Sequence, residues 1–388
     1  MRAVRARQVF DGERFIGAAD IVIDGPTVVA VGPPSDHASA PLDDFGDATV
    51  LPGLIDAHQH LAWDCSVDPL AWHREHDDVA LLECARANAR RALEAGITTV
   101  RDLGSRGRVM LDLRDECAQD LTAGPTLIVS GPPLTTPGGH CHFLGAECAT
   151  VEDLLAEVAR QAAAGVDVIK IMATGGQVTP GSSPGDTQFG AEELKAVVVA
   201  ARAVGLPVAA HAHGRGGVAA AVEARVDSIE HCSFMTDEGI DQDAELVAVV
   251  AASGITVSIT AGIAPGPADP IVAARLPALV AHVRGLRDAG ARCIMSTDAG
   301  ISPTKPHDCL VYAVSQAVHL LGMPVEGALA TCTSLAADAL GIERQAGRVR
   351  PGLPADLLVV DGLVETDLDA IRRPVLVLRG GVDVGGHG

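Results

Sequence analysis

Short apolar runs alternate with longer Ala-rich stretches between residues 53 and 345 of the chain. Residues 78–95 have a helical pattern, and the apolar run 97–102 that follows has the length and composition of a buried strand. Further apolar runs, each preceded by a helical stretch, lie at 166–172, 206–211, 226–231 and 291–298. Repeated units of strand and helix predict a parallel sheet, and eight such units would close into an α/β barrel.

The two ends of the chain have a different pattern, in which short alternating strands are separated by turn residues. These strands are predicted at 3–7, 21–23, 28–32, 356–361 and 375–384. We therefore expect both termini to share one small sheet domain, formed by 1–52 and 346–388, beside a larger domain at 53–345.

Composition supports this division. Hydrophobic residues make up 48% of the 388 residues but aromatic residues only 2%, so the predicted core consists of Ala, Val, Leu and Ile. These residues dominate parallel strands and the helices that cover them. A chain of this length fits one barrel and a minor domain.

The net charge of −21 argues against nucleic acid or an anionic membrane as a partner, because both bind clustered Lys and Arg. The nine cysteines show no Cys-x-x-Cys spacing, and the first residues lack an apolar signal segment. No apolar stretch reaches the roughly 18 residues of a membrane helix. We expect a soluble cytoplasmic protein with reduced thiols.

Two histidines, His58 and His60, lie one residue apart at the end of an apolar run. On a β-strand, residues i and i+2 point to the same face, so both imidazoles can reach one metal ion. The alternative is a chance occurrence in a chain with 14 histidines. Other predicted strands contain or end in further ligand-type residues, which favours the metal interpretation: Lys170, His211, His231 and Asp298.

The carboxyl ends of the strands are where α/β barrels place their catalytic groups. Two long irregular segments, 135–142 and 174–188, follow predicted strands and could cover that end of the barrel. We interpret them as candidate lids.

Several motifs follow one another along the chain. They are Pro-Gly-Leu-Ile-Asp-Ala-His-x-His at 52–60, Thr-Thr-Val-Arg-Asp at 98–102, Gly-Gly-His at 138–140, Ile-Lys-Ile-Met-Ala-Thr-Gly-Gly at 169–176, Ala-His-Ala-His-Gly at 210–214, Ser-Ile-Glu-His at 228–231, Ser-Thr-Asp at 296–298 and Gly-Arg-Val-Arg-Pro-Gly-Leu-Pro-Ala-Asp-Leu at 347–357. The chain thereby resembles the metal-dependent amidohydrolase superfamily, and within it the imidazolonepropionase-like group that includes Xaa-Pro dipeptidases (prolidases). This resemblance covers the whole chain and implies a (β/α)8 TIM-like barrel with a composite β-sandwich built from both termini.

The resemblance also implies a centre of two divalent metal ions, which we expect to be Zn²⁺. The implied ligands are His58, His60 and Asp298 for the more buried ion and His211 and His231 for the second. Lys170 would bridge the two ions as an N6-carboxylated lysine, because an unmodified ammonium group has no acceptor. The alternative is a Lys170 ammonium paired with a carboxylate such as Asp298, with one metal ion or none.

Some roles stay open at this point. His213 competes with His211 for one ligand position, and His211 is preferred because it directly ends the apolar run; His213 would then contact substrate or be a plain loop histidine. Asp298 has a second expected role, passing a proton from the bridging water to the leaving amine. His140, in a loop that resembles a substrate-binding loop of the family, is expected to polarise the carbonyl or contact substrate, and His142 is a substrate contact or structural.

Charged groups near predicted strand ends could bind a substrate carboxylate, with packing as the alternative: Arg101, Asp102, Arg215 and His307. One residue departs from the family pattern, since dipeptidase-like relatives commonly have a tyrosine where this chain has Phe234. A substrate carboxylate or oxyanion would then lack one hydrogen bond. The departure puts a prolyl dipeptide substrate in doubt while amide hydrolysis remains the prediction.

Taken together, the residues predict a metal-dependent hydrolase of an amide or peptide bond in a small molecule, such as a dipeptide or N-acyl amino acid, acting through a metal-bridging hydroxide. The alternative is a mononuclear imidazolone or cyclic-amide hydrolase or a deaminase, which typically lacks the bridging lysine. A catalytically inactive scaffold is disfavoured because the ligand set is complete. Assembly into a homo-oligomer is compatible with the sequence.

Overall fold

The computed structural model describes residues 1–34, 40–266 and 270–385, except for the side chains of residues 271 and 272. Its strands are β1 (Arg2–Ala6), β2 (Gln8–Val9), β3 (Ala19–Asp24), β4 (Thr27–Gly32), β5 (Leu42–Asp44), β6 (Ala48–Pro52), β7 (Leu54–Gln59), β8 (Ile97–Asp102), β9 (Thr126–Val129), β10 (Ile169–Met172), β11 (Val208–Ala212), β12 (Ser228–His231), β13 (Thr256–Thr260), β14 (Arg292–Ser296), β15 (Leu357–Asp361), β16 (Pro374–Arg379) and β17 (Val382–Gly385). The α-helices are α1 (Pro69–Glu75), α2 (Asp78–Glu94), α3 (Val109–Gln119), α4 (Val151–Ala164), α5 (Ala191–Ala203), α6 (Arg215–Ala224), α7 (Ala244–Ser253), α8 (Pro270–Asp288), α9 (Leu310–His319), α10 (Val325–Thr331) and α11 (Ser334–Leu340). Two 3-10 helices lie at His142–Leu144 and Leu368–Arg372.

Eight strands from β7 to β14 run parallel and alternate with helices. The pairings join β7 to β8 and β9, and β10 through β14 in chain order. Parallel bridges between Ser130 and Val168 and between Gln59 and Ala299 connect β9 to the β10 segment and β7 to the end of β14. The predicted α/β class with parallel strands is confirmed.

A buried carboxylate holds β7 and the end of β14 together. Asp56 accepts hydrogen bonds from the Thr297 hydroxyl at 2.7 Å, from the Thr297 backbone N–H at 3.1 Å, and from the Gln59 side-chain amide at 2.7 Å. Burial raises the pKa of Asp56 to about 6 in spite of these donors. Because Asp56 lies two residues before His58, this contact fixes the strand end from which the first candidate ligands extend.

Local sequence explains where these elements begin and end. Helix α2 covers the predicted 78–95 to within one residue, and β8 is the predicted 97–102 with all its residues buried. β10 starts three residues after the predicted 166, because the Val166 N–H still bonds the carbonyl of Gln161 at the end of α4. β11 starts after Pro207, which has no N–H to donate to a strand pairing.

Strands from the two ends of the chain share a sheet. One sheet has the order β4-β3-β1-β5, and a second has the order β17-β16-β15-β6-β2, in which β6 pairs antiparallel with β15 so that Val50 is opposite Val359. A separate apolar cluster, including Val4, Ile21 and Leu378, is buried with these strands. The termini therefore meet in one sheet, as the alternating pattern predicts.

No helix of the described residues is long and apolar enough to span a bilayer. All nine cysteines lie in the described ranges and none is in a disulfide.

Candidate metal centre

Most of the predicted ligands lie at the carboxyl ends of the parallel strands. His58 is in β7, His211 in β11 and His231 ends β12, whereas Asp298 follows β14 by two residues. Because the strands are parallel, these ends meet at one edge of the sheet, which is how residues far apart in the chain come together.

The first group consists of His58, His60 and Asp298. Nε2 of His58 lies 3.3 Å and Nε2 of His60 lies 3.1 Å from Oδ1 of Asp298. The ligand atoms of all three residues lie within 4.8 Å of one another, as a shared metal ion requires. The structure thus brings together the three residues predicted for the more buried ion.

The other nitrogen of each of these two rings lies against a hydrogen-bond acceptor of the protein. Nδ1 of His58 is 2.9 Å from a carboxylate oxygen of Glu230, and Nδ1 of His60 is 3.3 Å from the carbonyl oxygen of Gly104, and both oxygens are acceptors. Burial, followed by the Lys170 charge, lowers the pKa of His58 to about 4, so its ring is neutral near pH 7. The Nε2 lone pair of the neutral His58 ring then faces the Asp298 carboxylate, and a cation between the two would stabilise this arrangement.

The second group consists of His211, His213 and His231. Their ring centroids are 4.3–4.7 Å apart, and their ligand atoms also lie within 4.8 Å of one another. Nε2 of His211 is 3.0 Å from the carbonyl oxygen of Gly175, which leaves Nδ1 as its free nitrogen. Burial holds the pKa of His211 and His231 well below the ordinary value and lowers that of His213 to about 4. Neutral imidazoles of this kind are the form that binds metal.

His213 is therefore as close to the other ligands as His211 is. The sequence predicted only one of the two as a ligand, from its place at the end of the apolar run. The structure groups both with His231, since His213 lies just past the end of β11 and its ring stacks on His231 at a centroid distance of 4.3 Å. Nδ1 of His213 is also 2.8 Å from the Ser233 hydroxyl, which orients the ring.

The two groups adjoin each other. The His58 and His231 rings are 5.2 Å apart, and the charge of Lys170 acts on histidines of both groups. Lys170 is 1% exposed, and within the described ranges its ammonium group has no hydrogen bond and no ion pair. Burial lowers the pKa of Lys170 to about 8, so a substantial fraction of the amine is neutral in mildly alkaline solution. The expected alternative, an ion pair with Asp298, is not formed among these residues.

His140 lies against the second group. Its ring centroid is 4.8 Å from that of His211, its side chain is buried, and its Nδ1 has no hydrogen-bond partner among the described residues. Burial lowers its pKa to about 3. A buried nitrogen without a protein partner is costly, and a bound molecule with a complementary group would satisfy it.

The two predicted lid segments meet at His140, which belongs to the first of them. The His140 backbone N–H donates to the Gln188 side chain at 2.6 Å, and the Cys141 N–H donates to the Thr179 hydroxyl at 2.9 Å. A Cβ atom at Gly176 would lie 2.4 Å from Nε2 of His140, so glycine is required where the second segment crosses the ring. The segments are thus bonded to each other beside the ligands, and closure over a substrate stays a prediction.

Two of the ligand candidates have a strained backbone. His231 and Asp298 have φ values of +72° and +60°, in the left-handed region that residues other than glycine rarely adopt. Such strain persists only where the surrounding structure enforces it, and it is concentrated at functional sites.

The contacts of Arg101 favour the packing alternative over the binding of a substrate carboxylate. Its guanidinium donates to Oε1 of Glu230 at 2.8 Å, to the Ser228 hydroxyl at 3.2 Å and to the Ala57 carbonyl at 2.7 Å. Burial opposes the charge on Glu230, but Arg101 and then His58 hold its pKa well below the usual range. Arg101 therefore keeps Glu230 ionised, and Glu230 in turn orients His58.

Other substrate candidates are also engaged in structural contacts. His307 is fully buried between the side chain of Gln59 and the carbonyl of Trp63, and Asp102 accepts from the backbone N–H of Leu61 at 2.7 Å. Their positions support the packing alternative, because their polar atoms already have protein partners.

Three further candidates, Arg215, His142 and Phe234, have other side chains as neighbours. Arg215 is paired at the surface with two carboxylates, and the partly exposed His142 lies 3.9 Å from a carboxylate oxygen of Glu147. The Phe234 ring has no exposed surface and packs on His282 of α8 at a centroid distance of 4.2 Å. Phe234 therefore packs in the core of the described residues.

The sequence analysis gave no role to Glu230 and overlooked Lys305. Glu230 could have been found, because a carboxylate inside an apolar strand directly before a ligand histidine must have a partner when it is buried. Lys305, whose Nζ donates to the carbonyl of Thr297 beside Asp298, lies in a loop with no local signal.

Comparisons with known proteins identify the family of this chain. A profile of the Amidohydrolase family matches residues 49–382. The chain is 26% identical over 412 residues to ochratoxinase from Aspergillus niger, covering 95% of this chain and 82% of the relative. It is 27% identical over 388 residues to imidazolonepropionase from Paracoccus denitrificans, covering 90% of this chain and 89% of the relative.

A solved structure of a Xaa-Pro dipeptidase with methionine bound in the active site superposes with a TM-score of 0.85 at 27% identity, covering 99% of this chain and all of that one. The predicted imidazolonepropionase- and prolidase-like group is confirmed, and the inactive scaffold is set aside. The chain belongs to the amidohydrolase family and is a hydrolase of carbon–nitrogen bonds of the amide or peptide type.

Proposed function

We propose that this enzyme hydrolyses the amide or peptide bond of a small molecule, a dipeptide or an N-acyl amino acid, with two divalent metal ions. The observation that supports this most strongly is the pair of adjoining donor groups, with Lys170 buried near both and without a partner. A single ion would need only one of the two groups.

The donor set fits Zn²⁺, which binds imidazole nitrogen and carboxylate oxygen. His58, His60 and Asp298 would hold one ion, and His231 with His211 or His213 the other. When bound, two such ions activate water and polarise the scissile carbonyl. Lys170 would bridge them after its neutral amine adds to dissolved CO₂, which forms a nitrogen–carbon bond, releases one proton and turns the amine into an oxygen donor.

Asp298 is suited to moving the proton in this reaction. Burial opposes its ionisation, but His58, His60 and Lys305 hold its pKa well below the usual range, so it is present as a carboxylate that can accept a proton. His140, neutral and with an unpartnered Nδ1, would contact the substrate carbonyl or its neighbouring atoms. Arg101 and Glu230 keep the His58 ring in orientation and do not touch the substrate.

Relatives support an amide bond as the substrate bond. The names of similar proteins include Xaa-Pro dipeptidase and prolidase, one of them complexed with N-methylphosphonate-L-proline at 25% identity. We also propose that strands β7–β14 form a (β/α)8 barrel, that 1–52 and 346–388 form a composite β-sandwich beside it, and that the enzyme is cytoplasmic.

Metal content per chain tests the proposal. Wild type, Lys170→Ala and the exposed-lysine control Lys195→Ala are purified with Zn²⁺ and bicarbonate and analysed for metal. We expect two ions in wild type and control and one or fewer in Lys170→Ala. Wild type is then screened against dipeptides, N-acyl amino acids and lactams, and a loaded enzyme that cleaves none of them contradicts the proposed substrate class.

One relative favours a second candidate. The similarity to imidazolonepropionase makes a mononuclear cyclic-amide hydrolase or deaminase the alternative. It predicts one ion per chain in both wild type and Lys170→Ala, and ring opening or release of ammonia in place of amide cleavage. The second histidine group with Lys170 beside it is the observation that disfavours this alternative.

A further inference from the structure

One lysine at the candidate centre has no role so far. The chain has only three lysines, Lys170, Lys195 and Lys305, and Lys305 lies in the loop after β14. Its half-buried ammonium group donates to the carbonyl oxygen of Thr297 at 2.5 Å. The carbonyl oxygens of Thr260 and Ala261 are farther away, at 3.4 and 3.5 Å.

These contacts put the ammonium group beside both histidine groups. Thr297 directly precedes Asp298 of the first group, and the Thr260 hydroxyl lies 2.9 Å from Nδ1 of His231 in the second. Lys305 thus occupies the carboxyl ends of β13 and β14, next to the residues that would hold the metal ions.

The ammonium charge is not neutralised by the protein. In the part of the chain that the structure describes, no carboxylate oxygen lies within 4.0 Å of Nζ, and all three contacts are to neutral carbonyls. Two of these contacts are longer than an ordinary N–H···O bond, so the group can still donate strongly to another acceptor.

The two arginines singled out near the strand ends are already paired. Arg101 is bonded to Glu230 in the interior, and Arg215 is bonded to Asp241 and Asp243 at the surface. Lys305 is therefore a cation beside the centre that is left for a ligand. In a chain with a net charge of −21, one unpaired cation gives a local preference for an anion.

We propose that Lys305 binds the carboxylate of an amino-acid or peptide substrate and makes the enzyme prefer acids over the corresponding carboxamides. This inference rests on the proposed function and specifies its substrate class. The ammonium group would donate to the substrate carboxylate as a charge-assisted hydrogen bond, with the scissile bond held at the neighbouring histidines.

Binding of a matched pair of small molecules tests this without turnover. N-acetyl-L-leucine and N-acetyl-L-leucinamide are identical except at the terminal group, which is a negatively charged carboxylate in the first and a neutral carboxamide in the second. Each is titrated by calorimetry into Zn²⁺-loaded wild type, Lys305→Met, Lys305→Arg and the exposed-lysine control Lys195→Met, after thermal unfolding has shown that each variant is folded.

We expect wild type and Lys195→Met to bind the acid at least about tenfold more tightly than the amide. Lys305→Met should lose about tenfold in affinity for the acid only, and Lys305→Arg should keep most of the preference because it keeps the charge. Equal loss for both molecules in Lys305→Met would show a structural role and overturn the proposal. A wild type that binds both equally, or binds the acid immeasurably weakly, would overturn it as well.

A turnover experiment separates this inference from the proposed function. With any dipeptide that wild type cleaves, Lys305→Met should raise KM more than it lowers kcat, and the dipeptide amide should be affected less. Absence of cleavage by wild type counts against the proposed function. The binding titration does not depend on cleavage, and it tests separately whether Lys305 binds a carboxylate.

Discussion

At the scale of single residues, the hydrogen bond on one nitrogen of each imidazole decides what the other nitrogen can do. Glu230, Gly104 and Gly175 supply acceptors to the rings of His58, His60 and His211, so the opposite nitrogen of each ring is the one available at the centre. Glu230 is the one acceptor of the three that is charged and that depends on a buried partner, Arg101. The metal affinity of the first group should be sensitive to that charge.

Glu230→Gln should weaken Zn²⁺ binding by about 10- to 100-fold, because the substitution removes the charge that polarises His58 and leaves Arg101 buried without a counter-ion. Competition with a chromophoric chelator measures the affinity, and Glu223→Gln, on the exposed face of α6, is the matched control. A folded Glu230→Gln protein with wild-type affinity would mean that Glu230 only packs against Arg101.

At the scale of elements, the site is assembled where strand ends and the loops after them meet. The strand ends contribute the two ligand groups, and the segments 135–142 and 174–188 bond to each other around His140. Gly176 is the position at which the second segment passes closest to that ring. The loop geometry therefore determines where the His140 ring can lie.

Gly176→Ala should lower kcat/KM by about 10- to 100-fold while the metal content stays the same, because the added Cβ would displace His140 from its place against His211. Gly185→Ala in the same segment is the control, since its Cβ would meet only the ordinary van der Waals contact of Thr236 at 3.5 Å. If Gly176→Ala and Gly185→Ala had similar kcat/KM values, the position of His140 would not matter for catalysis.

At the scale of the whole molecule, an unusual number of histidines are buried in the neutral form. Burial lowers the pKa of eight of them: His58, His73, His140, His211, His213, His231, His282 and His307. An unfolded chain binds protons at these side chains below its pKa of about 6.5, whereas the folded chain does not until a lower pH. Acid therefore favours unfolding of the metal-free protein.

The pH range of this loss of stability follows from His73 and His307, because burial lowers the pKa values of both to about 4. Between pH 6.5 and 4 the unfolded state holds more protons, so stability falls as the pH falls, by at most about 3 kcal/mol for each such group. Asp56, with a pKa raised by burial to about 6, acts in the opposite direction between pH 6 and 4, as do Asp102 and Asp356, whose pKa values burial also raises. These three carboxyl groups are fewer than the eight histidines.

His73→Phe should make the loss of stability between pH 6.5 and 4 shallower than in wild type, as measured by thermal unfolding of the chelator-treated protein. The buried ring contacts Trp63 and Phe143, and its Nε2 has no partner among the described residues, so phenylalanine fits the surroundings. His319→Phe, at an exposed position on α9, is the control. If the stability of His73→Phe and of wild type fell equally steeply between pH 6.5 and 4, His73 would not contribute to the acid sensitivity of the protein.

The sequence by itself determined the features that depend on neighbouring residues. The apolar runs predicted the alternation of strands and helices, and the motifs around His58, Lys170, His211 and Asp298 predicted the family that the comparisons confirm. These signals are local, because strand and helix periodicity and the spacing of a ligand pair on one strand are set within a few residues.

Only the tertiary structure decided which side chains meet. Arg101 and Glu230 are 129 residues apart in the chain, and their ion pair places Arg101 behind the carboxylate that orients His58. In the structure, His213 lies with His211 and His231, and Phe234 packs in the core. Lys305 lies beside Asp298. Such contacts depend on how the ends of parallel strands and their loops pack against one another, and no spacing along the sequence specifies that packing.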